Sequence, residues 1–340
     1  MALLSSSEPL LASVVRHAVR APSGHNSQPW RFRLRDDLLE LWADRTRALP
    51  VADPDDRELV ISCGAALYTL RLAVLCHGRV PLVTRFPDPD RPDLLAIVRL
   101  GGPHQPTAQE EELFEAIPLR RTVRGEFHPD PPPHPLVAAL VQAAGVEGAS
   151  FEVVGDAARA QLATLVARGD RLLGADARFR DELAHWVRPH EGAPDGMPAA
   201  ALGMPGWLGP INVLLARFAP WGKVRALRDH RLALDAPLLA ALCTCGDEPD
   251  DWLTAGEALQ HVLLRATAGG LATAFLNQPV EIRALREELG QLLQATGVAQ
   301  LVLRFGYGPP TTARVGRRPL SEVLARTGAG GNGTRATPSS

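Results

Sequence analysis

The sequence of 340 residues lacks the features that mark several specialised classes of protein. Its formal net charge is −2, so nothing in the composition points to a nucleic-acid or membrane-surface partner. The longest apolar segments are interrupted by Arg71 or Arg265, so no run approaches a membrane span and no transmembrane helix is predicted. The first residues show no cationic segment followed by an apolar one, so no secretory signal is expected.

Patterns for metal, disulfide and nucleotide chemistry are equally sparse. The four cysteines form neither a Cys-x-x-Cys pair nor a zinc site, and Cys63 and Cys76 resemble small buried residues of helices. The ten histidines are scattered, so no metal site is predicted. No Gly-x-Gly-x-x-Gly motif follows a strand and no nucleophile elbow is present, so Rossmann binding and Ser/His/Asp hydrolysis have no support. A reducing cytoplasm is the simplest expected location.

Apolar periodicity predicts a protein of the α+β class. Positions 57–77 carry apolar residues nearly all round, which indicates a helix buried on most sides. Trp30, Phe32 and Leu34 alternate with arginines, which predicts a half-buried strand. Other helices are predicted at 8–21, 136–144, 157–187 and 252–269, and other strands at 38–43, 94–100, 151–154, 237–245, 271–276 and finally 301–307.

Less regular segments separate these elements. Residues 101–107 are expected to form a linker, and the Gly-, Pro- and Met-rich stretch 189–210 is typical of a functional or mobile segment. From residue 328 onward the composition predicts a disordered tail, 328–340.

Two short segments carry the strongest chemical signal. Arg120-Arg121-Thr122-Val123-Arg124 places three cations around a hydroxyl group, which suits a phosphate and an electron-rich ring. Residues 21–30 read Ala-Pro-Ser-Gly-His-Asn-Ser-Gln-Pro-Trp, a helix end that opens into a loop of turn-forming and hydrogen-bonding residues. Taken alone, the arginine segment also fits a solvated basic helix start.

The chain contains signs of an internal duplication. Residues of the two long helices match at a constant offset of 192, with Gly64, Ala66, Leu67, Leu70, Leu72 and Gly78 corresponding to Gly256, Ala258, Leu259, Val262, Leu264 and Gly270. A glycine within a helix costs about 1 kcal/mol relative to alanine, so the matched pair predicts a close helix–helix approach. The alternative is chance similarity between two helices rich in alanine and leucine.

The units before these helices also match. Residues 10–34 and 136–154 both run helix, turn, strand. The first copy has the complete Pro-Ser-Gly-His-Asn loop and no arginine cluster before it, whereas the second has the arginine cluster and a shortened turn. Each copy therefore carries one of the two chemical motifs.

Together these motifs resemble the flavin-binding signature of the nitroreductase family, in inverted order. Such enzymes carry an Arg-Arg-Ser-x-Arg motif first and a Pro-Ser-x-x-Asn-x-Gln-Pro-Trp motif later, and they are typically homodimers that bind FMN at the subunit interface. The resemblance covers residues 8–325, is weakest over 155–230, and is closest to the fused, Acg-like branch. It implies a nitroreductase-like fold in which two fused halves form a pseudo-dimeric monomer with antiparallel or mixed sheets, buried long helices between them and one FMN.

The same resemblance implies the domains and the site. The halves are expected at 1–107 and 108–327, with a lid inserted at about 157–210. Arg120 and a carboxy-terminal arginine would hold the FMN phosphate, and Arg124 would reach the pyrimidine edge of the ring. No catalytic side chain is expected. The cofactor residues it implies are Pro22, Ser23, Gly24, Asn26, Gln28, Arg120, Arg121, Thr122, Arg124, Asn277, Gln278, Arg317 and Arg318.

Some of these roles stay open at the level of sequence. Gln28 is expected to brace its loop, and His25 either faces the substrate or is idle. The segment with Asn277 and Gln278 resembles the one that meets the flavin N5 edge, but an ordinary strand–loop–helix junction has the same pattern. Arg317 and Arg318 are favoured over Arg314 for the phosphate.

Three functions are compatible with these expectations. The first is an oxidoreductase that takes electrons from NAD(P)H through FMN to a nitroaromatic, quinone or similar acceptor. The second is a protein that sequesters FMN beneath a closed lid without turnover. The third, a structural protein that has lost flavin, has least support because all three cofactor segments are present.

Overall fold

The computed structural model describes residues 7–35, 37–199, 217, 221–295, 297–308 and 315–327. Its α-helices are α1 (Glu8–Ala18), α2 (Arg57–Cys76), α3 (Ala108–Ala116), α4 (His134–Val146), α5 (Asp156–Ala175), α6 (Ala177–Trp186), α7 (Trp221–Leu234), α8 (Pro249–Ala268), α9 (Gln278–Glu281), α10 (Arg283–Leu293) and α11 (Leu320–Val323). Its strands are β1 (Trp30–Arg35), β2 (Leu38–Ala43), β3 (Arg79–Arg85), β4 (Leu94–Pro103), β5 (Ser150–Val153), β6 (Val187–Arg188), β7 (Met197–Pro198), β8 (Leu238–Thr244), β9 (Ala272–Phe275), β10 (Val298–Gly306) and β11 (Leu324–Thr327).

The two larger sheets repeat one strand order. The first runs β1-β2-β4-β3 with β11 added beside β1, and the second runs β5-β8-β10-β9. All neighbours within these two four-strand sets are antiparallel. In each half a helix precedes the first strand, and a long helix, α2 or α8, connects the second strand to the third. This repeated topology confirms the prediction of two related halves fused in one chain.

The long helices of the two halves cross where their matched glycines meet. A Cβ atom built on Gly64 would lie 2.9 Å from the Cα atom of Gly256, and one built on Gly256 would lie 2.7 Å from the Cα atom of Gly64. Real Cβ atoms do not approach other heavy atoms so closely, so glycine is required for the two backbones to come this near. The predicted close approach of the helices is confirmed.

Helix α2 is buried from one end to the other. Among the described residues it is the one helix long and apolar enough to cross a membrane, yet 83% of its most apolar window is buried inside the fold. Its packing partners are the first sheet, α1 and α8, which is the environment of a core helix.

The carboxy-terminal part of the chain returns to the first sheet. β11 lies parallel to β1, with Leu324 opposite Phe32 and Thr327 opposite Arg35. The prediction that 301–307 is the final strand is therefore wrong, because a four-residue strand is too short to show an alternating pattern. The proposed segment 108–327 thus contributes one strand to the sheet formed by segment 1–107. The predicted tail, 328–340, lies outside the described residues.

Two further element boundaries differ from the prediction. β3 has no counterpart in the sequence analysis, because most of its residues are only half-buried and show little apolar alternation. β4 continues to Pro103, through the first part of the predicted linker 101–107, where it pairs with β3.

An insertion distinguishes the second half from the first. Residues 154–237 separate β5 from β8, whereas residues 36–37 separate β1 from β2. Within the insertion α5 buries Leu162 and Val166 against the second sheet, so this part belongs to the core. Residues 176–199, called here the cover segment, pack instead against Leu49 and Ala52 of the first half. The remainder of the proposed lid, 200–210, lies outside the described residues.

Candidate functional site

The two sequence motifs meet at one cavity of about 280 Å³ between the halves. Each half supplies one wall, since the loop at 22–26 comes from the first and the arginine segment at 120–124 from the second. Of the residues that the resemblance implied, its lining includes Pro22, Ser23, Gly24, Asn26, Arg120, Arg121, Thr122, Arg124, Asn277, Gln278 and Arg317.

The arginine segment is held in place by its backbone. Helix α3 begins with a capping box of Thr107 and Glu110, and the chain leaves this helix through a hydrogen bond from the Arg120 amide to the Ala116 carbonyl, 2.9 Å. The amide of Val123 then donates to the carbonyl of Thr273, 2.8 Å, which aligns the segment with β9. The arginines are therefore placed beside an edge strand of the second sheet.

Several guanidinium groups line the cavity close to one another, and that of Arg120 is buried. Arg120 is 5% exposed, and among the described residues its Nε and Nη1 atoms find no hydrogen-bond partner. Arg317 Nε is likewise without a described partner. Burial and the nearby charges of Arg317 and Arg121 lower the pKa of Arg120. Unpartnered buried donors and mutual repulsion are both costly, and a bound anion with several oxygens would relieve both.

The opposing loop has an unusual backbone. His25, Asn26 and Gln28 all lie in the left-handed region, with φ of 51°, 54° and 53°. The loop is held together by a hydrogen bond from the Gln28 amide to Ser23 Oγ, 3.0 Å. Asn26 Nδ2 donates to the Gly196 carbonyl at 3.0 Å, and its Oδ1 accepts from Arg317 Nη1 at 3.2 Å. Such conformations persist where surrounding contacts impose them, and they concentrate at functional sites.

Gln28 and Arg318 lie beside the cavity and are not among its described lining residues. Gln28 Oε1 accepts from the Arg318 amide at 2.9 Å, and Arg318 Nη1 donates to the Gln28 carbonyl at 3.3 Å. Arg318 Nη1 also lies 3.8 Å from Asp44 Oδ2. The expectation that Gln28 braces its loop agrees with this geometry, and Arg318 supports the loop instead of facing the cavity. Arg314 lies outside the described residues.

The side-chain amides of Asn277 and Gln278 both donate hydrogen bonds within the protein. Asn277 Nδ2 donates to Glu58 Oε1 at 3.1 Å, and its Oδ1 accepts from the Val302 amide at 3.2 Å. Gln278 Nε2 donates to Asp170 Oδ1 at 3.1 Å and to Asp229 Oδ2 at 3.0 Å. Both polar atoms of the Asn277 side chain are thus engaged, whereas the buried Oε1 atom of Gln278 has no partner among the described residues.

His25 faces the cavity as a neutral imidazole. Burial lowers its pKa to about 3, with further contributions from Arg225 and Arg124. Its ring meets that of Phe179 edge-on, with centroids 6.5 Å apart. Its Nε2 atom is buried and has no partner among the described residues.

Several lining residues were missed by sequence reasoning. Glu58 and Ser62 lie one turn apart on α2, and polar residues spaced by one turn on a mostly apolar helix were a signal that could have found them. Arg225 enters from α7 and Phe179, Leu183 and Met197 from the cover segment, where no local pattern marks them.

Comparison with known proteins places the chain in a family. No protein-family model matches it. Acg of Mycobacterium tuberculosis, provisionally named an NAD(P)H nitroreductase, is 32% identical over 327 residues, which cover 93% of this chain and 95% of Acg. The chain belongs to the nitroreductase family. Its similarity to Acg over nearly the whole length fits the Acg-like branch.

One more relative and one solved structure illustrate the similarity. A second M. tuberculosis protein, also provisionally named an NAD(P)H nitroreductase, is 35% identical over 322 residues, or 92% of this chain and 90% of that protein. The crystal structure of the FMN-dependent nitroreductase NfnB from Mycobacterium smegmatis in complex with NADPH overlaps 63% of this chain and 97% of that chain, with a TM-score of 0.42 and 19% identity.

In the chain described here, the duplication creates a second set of positions equivalent to those of the cavity, and ion pairs occupy part of this set. At the offset of 192, Glu58 corresponds to Asp250 and Arg85 corresponds to Asn277. Where Asn277 donates to Glu58 in the cavity, Arg85 Nη1 lies 3.4 Å from Asp250 Oδ1 at the mirrored position, again between the halves. Arg85 is also paired with Glu257, which is buried on α8. Charged side chains therefore occupy the second copy of this part of the site.

Proposed function

We propose that this chain is an FMN-dependent oxidoreductase of nitroreductase type, which passes electrons from NAD(P)H to a small acceptor such as a nitroaromatic or quinone. The observation that carries the proposal is the set of buried guanidinium nitrogens that lack a described partner, Nε and Nη1 of Arg120 and Nε of Arg317, in two arginines that line one cavity between the halves. A phosphate group would satisfy these donors. Family membership and the names of the relatives support NAD(P)H as the electron source.

In this proposal the residues that line the cavity bind different parts of FMN. Arg120 and Arg317 bind the phosphate, and Thr122 donates its hydroxyl to the phosphate or the ribityl chain. Arg124 lies at the pyrimidine edge, where a fixed cation stabilises the negative charge of the reduced ring. When bound, FMN supplies the hydride chemistry, and the chain supplies placement and electrostatics.

The proposed stoichiometry is one FMN in each monomeric chain. It is supported by the division of the motifs, since the first half has the loop and the second half the arginine segment. It is also supported by the ion pairs of Arg85 with Asp250 and Glu257 at the mirrored position.

A second candidate function, sequestration of FMN, is favoured by the contacts of the cover segment. Gln28 Nε2 donates to the Pro194 carbonyl at 2.7 Å, and Asn26 binds Gly196. Arg47 forms an ion pair with Asp195 of the same segment. A cover held this firmly over the loop would exclude nicotinamide, and the protein would then keep FMN without turnover.

Absorbance spectroscopy of the purified protein separates these functions. Both predict a yellow protein with a flavin spectrum, and a colourless protein that cannot be reconstituted with FMN would contradict both. NADPH is then added anaerobically to the yellow protein. Bleaching within seconds establishes an enzyme, whereas colour that persists for hours establishes sequestration.

A further inference from the structure

The carboxyl group of Glu58 lines the cavity, and only one of its two oxygens accepts hydrogen bonds from the described residues. Its Oε1 atom accepts hydrogen bonds from Arg57 Nη2 at 3.2 Å and from Asn277 Nδ2 at 3.1 Å. Among the described residues none donates a hydrogen bond to Oε2. Because both donors meet Oε1, a proton on this carboxyl group would reside on Oε2.

The free oxygen lies near the loop at 22–26, which belongs to the same half as Glu58. A Cβ atom built on Gly24 would lie 3.6 Å from Glu58 Oε2, at van der Waals distance. Gly24 and Glu58 both line the cavity, so the absence of a side chain at position 24 leaves the space beside Oε2 open. A proton on this oxygen would therefore be available to a molecule in the cavity.

Two positioning residues fix the orientation of this carboxyl group. Arg57 is buried and donates from Nη1 to the Gln300 carbonyl at 2.6 Å and to Gln300 Oε1 at 3.0 Å. Asn277 is anchored by the amide of Val302 on β10. Both partners of Oε1 are thus tied to the second sheet, so Oε2 cannot exchange places with Oε1 without breaking these contacts.

The surroundings of Glu58 bring the pKa of its carboxyl group close to neutral pH. Burial raises the pKa of Glu58 to about 7, and the charge of Asp53 acts in the same direction. Arg57, Asn277 and Arg286 oppose this rise. The Glu281 carboxyl packed nearby has its own pKa raised, first by burial and then by the charge of Glu58.

We propose that Glu58 is the acid that protonates the reduced acceptor, an inference that rests on the proposed function. A quinone acceptor gains a hydride equivalent that originates in NAD(P)H, which is oxidised to NAD(P)⁺, and one further proton. The Oε2–H bond of Glu58 breaks as an O–H bond forms on a quinone oxygen. The resulting carboxylate, stabilised by Arg57 and Asn277, then takes a proton from water.

The first test measures protonation without turnover. Burial also raises the pKa of Asp170 to about 6, so infrared difference spectroscopy of the protein freed of FMN, between pH 6 and 8, should show a carboxylic-acid carbonyl band disappearing about pH 7 in addition to any change from Asp170. Glu58→Gln should lack that change. Asp250→Asn, at the equivalent position of the second half and outside the cavity lining, should retain it. A wild-type spectrum identical to that of Glu58→Gln would overturn the proposal, whether or not the protein binds FMN.

The second test separates the two half-reactions by stopped flow. Reduction by NADPH should be the same within about twofold in wild type and Glu58→Gln, because this half-reaction needs no acid. Reoxidation by menadione should be at least about tenfold slower in Glu58→Gln, consistent with a general acid that contributes 10²–10⁴-fold. The wild-type reoxidation rate should fall as pH rises through about 7, and the rate of Glu58→Gln should be independent of pH.

Two further variants keep the test conclusive. Glu58→Asp keeps an acid and should recover part of the pH-dependent reoxidation, whereas a purely structural role predicts no such recovery. Asp250→Asn should match wild type in both half-reactions. Equal losses in both half-reactions of Glu58→Gln, with an unchanged pH profile, would overturn the proposal. Failure of the wild type to accept electrons from NADPH would instead contradict the proposed function, and the infrared result would stand by itself.

Discussion

The charge of Arg120 is expected to destabilise the FMN-free protein and to strengthen the binding of the FMN phosphate. Its guanidinium group is buried, lacks described partners on two nitrogens, and lies near the charges of Arg317 and Arg121. Replacing a buried, poorly compensated charge with an apolar residue of similar volume is often stabilising. Burying Arg120 therefore lowers the stability of the free protein, and such a loss is common where a residue is needed for function, here for binding an anion.

Arg120→Met should therefore stabilise the FMN-free protein while it weakens FMN binding. The expected gain in free energy of unfolding is about 1–2 kcal/mol in urea titrations. Loss of a charge-assisted pair worth about 1.5–3 kcal/mol should reduce FMN affinity about 10–100-fold, measured by quenching of FMN fluorescence. Arg16→Met, exposed on α1, should change neither quantity appreciably.

Arg20 offers a sharper comparison because it lines the same end of the cavity but is exposed. Its carbonyl accepts from Arg120 Nη2 and Arg317 Nη2, so its main described role is through the backbone. Arg120→Ala should therefore lose FMN more severely than Arg20→Ala. Equal losses in the same fluorescence titration would contradict the assignment of the phosphate site to Arg120.

At the scale of elements, the crossing of α2 and α8 depends on two glycines. Gly64→Ala should destabilise the protein by about 2–3 kcal/mol, because the added methyl group would clash with the backbone at Gly256 and separate the helices. Gly290→Ala in α10 is the matched control. Nothing lies within 4 Å of a Cβ atom at position 290, so this change should stabilise by up to about 1 kcal/mol. Urea unfolding measures both, and equal effects would contradict the close packing.

The cover segment is the element whose contacts decide access to the cavity. Asp195 is paired with both Arg47 and Arg188, and its pKa is lowered because their hydrogen bonds and charges outweigh the effect of burial. Asp195→Asn should loosen the cover, so that anaerobic reduction by NADPH and release of FMN both become several-fold faster.

Glu288→Gln is the control for this change, since it removes an ion pair with Arg168 that is 44% exposed on both sides and lies on the surface. It should leave both rates unchanged. Identical rates in wild type and Asp195→Asn would show that the cover does not limit access.

At the scale of the whole molecule, duplication explains why one chain can supply both walls of a cavity. The proposed stoichiometry is one FMN for each chain of 36.5 kDa, and the chain should remain a monomer. Native mass spectrometry of the yellow protein measures both quantities. Two bound FMN molecules, or a dimer required for binding, would contradict the proposal that the mirrored position is closed.

Much of this arrangement could be predicted because its signals are local in sequence. The offset of 192 revealed two halves, and the glycines within it predicted the helix crossing, since a glycine in a buried helix usually has a packing reason. The loop at 22–26 and the arginine segment were recognisable because turn-forming residues and clustered cations are informative over a few positions. Short or half-buried strands such as β3 and β11 were missed because they lack a sufficient period.

The sequence by itself therefore determined the α+β class, the duplication and the two motifs that meet at the cavity. Only the tertiary structure brought Glu58 beside Asn277, placed Arg225 and the cover segment at the cavity, and directed Arg318 away from it. These contacts join residues far apart in the chain, so no local period or spacing encodes them. Burial and neighbouring charge, which set the protonation of Glu58, likewise exist only after the halves have packed together.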